Sequence, residues 1–90
     1  MAKAVIDPAE VRRFAMELKK FTETMSEQMT VLKARHSQLG QTWRDQEHRK
    51  FTEEFEQTMR SLDRFRTQVM DHVPFLVRKA QRAEDYLNQR

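Results

Sequence analysis

Three residues near the middle of the chain have side chains that could hold a metal ion. His36, Asp45 and His48 bracket a short segment, and a hairpin closed there would set the two histidines at one level. Two imidazoles and a carboxylate are donors suited to zinc or another divalent cation. The di-iron bundle pattern asks for more: two Glu-x-x-His copies and two further glutamates. DQEH, residues 45–48, is a single imperfect copy. The three side chains therefore read as a solvated polar layer beside a turn, with the sensitivity to pH that histidines carry near neutrality. No HExxH, phosphate-cradling loop or Ser-His-Asp order is present, and one glycine could hardly build a phosphate loop. The carboxylates lie on helical faces with no pocket to perturb them. The sequence reads as non-enzymatic, with no cofactor and no metal.

The elements around this segment account for most of the chain. Ninety residues make one small domain, and charged residues form 34% of it, beside one glycine and two prolines. That is the composition of long helices rather than of sheet. Seventeen basic residues face fourteen acidic ones, for a net charge of +3. The charge is dispersed, seven basic to five acidic in residues 1–40 and ten to nine in residues 41–90. Pairs four apart, such as Arg13/Glu17, Lys50/Glu54 and Glu56/Arg60, support helices weakly, by about a few tenths of a kcal/mol each. A nucleic-acid platform needs clustered cations with interleaved aromatics, and here the aromatics follow the apolar stripe. There is no cysteine, so disulfides and thiolate chemistry are excluded. MAKAVIDP is not a conventional signal peptide. The longest apolar run, VPFLV at residues 73–77, is too short to span a bilayer, so no membrane insertion is expected.

The spacing predicts two helices, about 7–39 and about 45–88, with a turn at about 40–44. Asp7 reads as an N-cap, Pro8 fits the first helical position, and Glu10 stands where a capping box would close. Ile6 and Val11 stand where a hydrophobic staple would sit. Val11, Leu18, Met25, Leu32 and Leu39 form an unbroken heptad column. Phe14, Phe21 and Met29 widen it. Gly40 reads as a left-handed residue ending this helix. Thr42 or Asp45 would cap the second helix, whose stripe runs through Phe51, Phe55, Met59, Leu62, Phe65, Val69, Val73 and Leu76. Pro74 removes one backbone donor and is expected to kink that helix without moving the stripe out of phase.

Folding the chain back near residue 42 sets Phe14 against Val69, Leu18 against Phe65 and Phe21 against Leu62. The same register sets Met29 against Phe55, Leu32 against Phe51 and His72 against Val11, as a half-buried polar position. Residues beyond about 78 would then run past the first helix. Residues 73–77 are apolar all round, the mark of a buried helix, and Phe75 and Val77 point away from the seam. The expected architecture is an all-α antiparallel hairpin that pairs into a four-helix-bundle dimer. Val73, Phe75 and Val77 are its expected partner surface.

A chain of about this length, folded as a helical hairpin with tryptophan at the turn, resembles the WXG family of early-secreted-antigen-like proteins of type VII secretion. The resemblance covers essentially the whole chain and rests on length, layout and Trp43. It implies pairing with itself or with a related hairpin, and export without a cleaved signal. It also implies a tyrosine-bearing C-terminal signal, lying beside the partner's tryptophan turn, for a secretion ATPase to read. Two positions depart from the pattern. Trp43-Arg44-Asp45 lacks the family's glycine, whose turn role would pass to Gly40 and Asp45. Tyr86 is followed four places on by Arg90 in place of an acid. On the resemblance, the protein is a secreted substrate or co-secreted dimer partner, cytoplasmic before export. The rival expectation is a cytosolic coiled-coil adaptor or chaperone that binds a larger client through residues 73–77.

Overall fold

The computed structural model describes residues 6–89, folded as two helices, α1 (Pro8–Leu39) and α2 (Gln46–Asn88). They lie antiparallel in a hairpin of 70 × 17 × 15 Å. Among the described residues there is no strand. Asp7 caps α1 through its side chain, but the bond comes from the Ala9 amide at 3.0 Å. No capping box closes, because the Glu10 carboxylate turns to Arg13 instead. Asp45 caps α2 by accepting from the His48 amide at 2.9 Å.

The α2 helix is continuous through Pro74. Proline has no N–H, so the Met70 carbonyl loses its usual intrahelical donor there. The flanking turns and the packing beneath them hold the helix together across that gap.

Where the two helices touch differs from the phase that the sequence suggests. On α1 the buried positions are Pro8, Ala15, Thr22 and Met29, with Val11, Leu18 and Met25 half-buried between them. On α2 the covered line runs through Phe55, Met59, Leu62, Arg66, Val69, Val73, Leu76 and Ala80. The seam thus passes through Ala15 and Thr22, each one residue beyond the phenylalanines expected to fill it. Phe14 and Phe21 stay 53% and 51% exposed, Phe51 and Phe65 41% and 46%. Small residues explain the choice. Ala15 and Ala80 are completely buried, and side chains that small let the two backbones approach closely. Thr22 enters the seam at little cost because its hydroxyl donates to the Leu18 carbonyl at 2.8 Å.

The register is slid as well. His36 lies between His48 and Phe55 and meets the Thr52 hydroxyl at 3.0 Å, so Phe55 is opposite His36 rather than Met29. At the other end Arg12 grips Glu84 with two bonds, of 2.9 and 2.7 Å, and reaches Gln81 at 2.9 Å. The tail beyond residue 78 therefore packs beside the start of α1 instead of overhanging it. His72 is exposed, not a half-buried seam position.

Candidate functional site

The closed end of the hairpin is built from its backbone outward. The last turn of α1 hands its carbonyls to the turn residues. Gly40 N–H donates to His36 O, Gln41 N–H to Gln38 O, and the Thr42 and Trp43 amides both to Leu39 O. Arg44 Nε then donates to Gly40 O at 3.2 Å. Gly40 is right-handed, with φ −64° and ψ −13°, so the left-handed cap expected from sequence is absent. The chain tightens and continues until Asp45 starts α2. What glycine provides at position 40 is space: a Cβ there would already touch His48 Cε1 at 3.4 Å. A longer side chain would push that ring aside.

Above this turn the rings form a column. The half-buried Trp43 tilts against His48 at 5.0 Å between centroids, His48 stacks on His36 at 5.6 Å, and His36 stacks on Phe55 at 4.6 Å. Phe51 flanks Trp43 and His36 at 6.2 and 6.0 Å. The two imidazoles lie nearly parallel, 18° apart. The two rings thus pack face to face within the column. Among the described residues no cluster of three or more histidine or acidic side chains could hold a metal ion. Asp45 is held below the usual carboxylate range, chiefly by the His48 amide, with desolvation opposing and the Trp43 indole assisting. Gly40, Trp43 and Asp45 thus come together as one structure, in which the glycine admits the histidine and the aspartate fixes it.

At the far end, about the length of the hairpin away, Tyr86 is 63% exposed. Arg12 holds the Glu84 carboxyl below its ordinary value through their hydrogen bond, and Gln81 donates to Asp85 at 3.0 Å. The last turns of α2 are therefore helical and tied to α1, with the tyrosine turned outward. Of the three residues expected to meet a partner, Phe75 is exposed, whereas Val73 and Val77 are already half-covered by the hairpin itself.

The larger uncovered surface lies along one flank. Phe14 and Phe21 on α1, and Phe51, Phe65 and Phe75 on α2, all share the flank opposite the Arg12–Glu84 edge. That edge carries the one ion pair between the helices among the described residues; this one carries the exposed aromatic rings. Sequence reasoning named these residues but assigned four of them to the inner seam. The signal that could have separated them was the width of the stripe, since one helix-helix contact cannot cover both Phe14 and Ala15. No described helix is long and apolar enough to cross a membrane.

Fold and site together define a slender helical hairpin with an aromatic turn and one uncovered apolar flank. The chain belongs to the WXG100 family, proteins of 100 residues with WXG, whose family model matches residues 5–86. That family is one of small, non-enzymatic helical proteins associated with type VII secretion, whose members typically pair with one another. No curated protein and no solved structure matches this chain.

Proposed function

We propose that this protein is a substrate, or a co-secreted pairing partner, of a type VII-like secretion machine. The observation that carries the reading is the aromatic flank. Five phenylalanines, each 41–53% exposed, are left uncovered on a hairpin whose own seam buries only small residues and two methionines. Contiguous apolar surface of this kind marks a protein–protein interface, and a second helical hairpin laid on it would complete a four-helix bundle. Family membership supplies the secretion context.

In this reading Trp43 and Asp45 shape a recognition surface at the turn, and Tyr86 is the outward-facing residue of the tail that a secretion ATPase reads. Within one hairpin those two features are at opposite ends, so a paired molecule is needed to bring a turn beside a tail. Arg90 stands where the family's tail carries an acid, which favours co-secretion on a partner's signal over independent export.

The test is an immunoblot of cells and washed culture supernatant from the native host, with a cytosolic marker to control for lysis. The wild-type protein is expected in the supernatant without the marker. Trp43→Ala and Tyr86→Ala are expected to abolish export while circular dichroism stays helical. Export of both variants at the wild-type level would remove these two residues from the mechanism. Retention of the wild-type protein in cells whose secretion system is active would instead support a cytosolic adaptor.

A further inference from the structure

The closed end of the hairpin holds a titratable ring with no place for a second proton. His48 Nε2 is enclosed, and no donor or acceptor among the described residues reaches it. Gly40 backs the ring so closely that a Cβ there would lie 3.8 Å from that nitrogen. His36 stacks on it at 5.6 Å between centroids, and Trp43 leans on it at 5.0 Å. A neutral imidazole fits this place, because one of its nitrogens is a bare acceptor that needs no acceptor of its own. An imidazolium carries hydrogen on both nitrogens, and an enclosed charged donor left unpaired costs far more than a neutral group. His36 differs, since its Nε2 meets the Thr52 hydroxyl at 3.0 Å, which can accept as well as donate.

The charged groups around the column offer the ring no counter-ion. On α2, Asp45 is the acid that feels His48, but its carboxylate accepts from the His48 amide at 2.9 Å. In the turn, Arg44 donates to the Gly40 carbonyl at 3.2 Å and adds a positive charge on the residue that backs the ring. On the far side of the column, His36 shares a groove with Lys33 of α1 and with Glu56, Arg60 and Asp63 of α2. These are two cations and two acids, and Asp63 is already bound by Arg66 at 2.7 Å. Neither histidine forms an ion pair among the described residues. Two imidazoliums stacked here would face each other as like charges. From this geometry we infer that His48 is a proton-operated latch: when it takes up a proton from solvent beside His36, the ring column parts and Trp43 is released from the closed end. The column is complete while the rings are neutral, and is lost as pH falls through the range where histidines titrate. Its meaning for export rests on the recognition role proposed above for the turn, which the latch would present near neutrality and dismantle in acid.

Trp43 is the only tryptophan of the chain, so its fluorescence reads the latch directly. The full chain is titrated from about pH 8 to about pH 5, the span in which histidines change charge. Emission maximum and acrylamide quenching are followed, with circular dichroism beside them. The emission is expected to shift to longer wavelength and the quenching constant to rise, while the helical signal is retained. Asp45 is held below the usual carboxylate range and stays ionised across this span, so the α2 cap is not what titrates. The transition is expected to vanish in His48→Phe, whose ring keeps the stack and takes up no proton. His72→Gln, at an exposed position far along α2, should leave it unchanged.

A tryptophan environment constant across the titration would overturn the latch, and so would an unchanged transition in His48→Phe. If that variant is not helical at neutral pH, His48→Gln gives the same reading at the same position. Sedimentation velocity at both ends of the titration separates opening of the turn from dissociation of a complex. Exposure of Trp43 that dilution reproduces at neutral pH would also overturn the latch. The recognition role fails separately, by undiminished export of Trp43→Ala, and that result leaves the fluorescence transition standing.

Discussion

Replacing Phe14 and Phe21 together with glutamine isolates what the aromatic flank contributes to pairing. The two rings are 53% and 51% exposed, so roughly 100 Å² of each remains for a partner to cover. At about 25 cal/mol per Å² that surface is worth about 2.5 kcal/mol per ring if wholly covered. Rim positions are covered incompletely and lose rotamer freedom, which reduces the gain to about 1 kcal/mol each. In a symmetric pair the double variant removes four rings, about 4 kcal/mol, or roughly a thousandfold in dissociation constant. The assay is thermal unfolding followed by circular dichroism across a wide range of protein concentration, with sedimentation equilibrium beside it. The wild-type Tm is expected to rise with concentration, because association stabilises the folded state by mass action. The variant should remain helical with a Tm nearly independent of concentration. A dimer affinity within about threefold of wild type, a difference of roughly 0.6 kcal/mol, would refute the reasoning, since the rings would then face no partner.

Three further changes probe the hairpin itself. Met29→Ala opens the seam at one of its few buried large side chains and is expected to cost about 2 kcal/mol in urea unfolding, the low end for a buried methionine because two helices can close on the gap. Asp45→Ala removes the α2 cap at every pH, whereas Asp45→Asn keeps an acceptor that does not titrate. The Asp45 carboxyl is depressed by the His48 amide, so its contribution is complete above about pH 4 and fades as pH falls through the lowered value. An acid titration of helicity should lose that component in the asparagine variant. Arg12→Ala releases Glu84 and Gln81, and amide hydrogen exchange in residues 80–88 should quicken while exchange around Met59 does not.

Much of the layout was legible in the residues. Asp7-Pro8, the leucine heptads and Asp45 announce where the helices begin and how far they run, because caps and periodicity are local properties. The phase of the seam was not legible, because Phe14 beside Ala15 gives two adjacent apolar columns and either could face inward. Backbone approach, which the buried Ala15 and Ala80 permit, decides between them. The register was ambiguous for a related reason: apolar layers recur every three or four residues, so a slide of a turn still sets apolar on apolar. Polar contacts break that tie, Arg12 with Glu84 at one end and His36 with Thr52 at the other. At the turn, the sequence located Gly40, Trp43 and Asp45 correctly as neighbours. It expected a left-handed glycine, whereas Gly40 is right-handed and packs beside a histidine ring from the other helix.

The hairpin topology places the start of α1 and the end of α2 at one end of a rod 70 Å long. A motor drawing on the tail of α2 would therefore load the molecule like a zip. Force would fall first on the Arg12–Glu84 clasp alone, then on one seam layer after another. Each layer is thin, and Pro74 leaves a missing backbone bond a few turns in from the grip. Resistance would never be shared across the whole seam, as it would be if the two helices were pulled in shear. A hairpin held along its whole length can still offer little mechanical opposition to being unravelled from one direction.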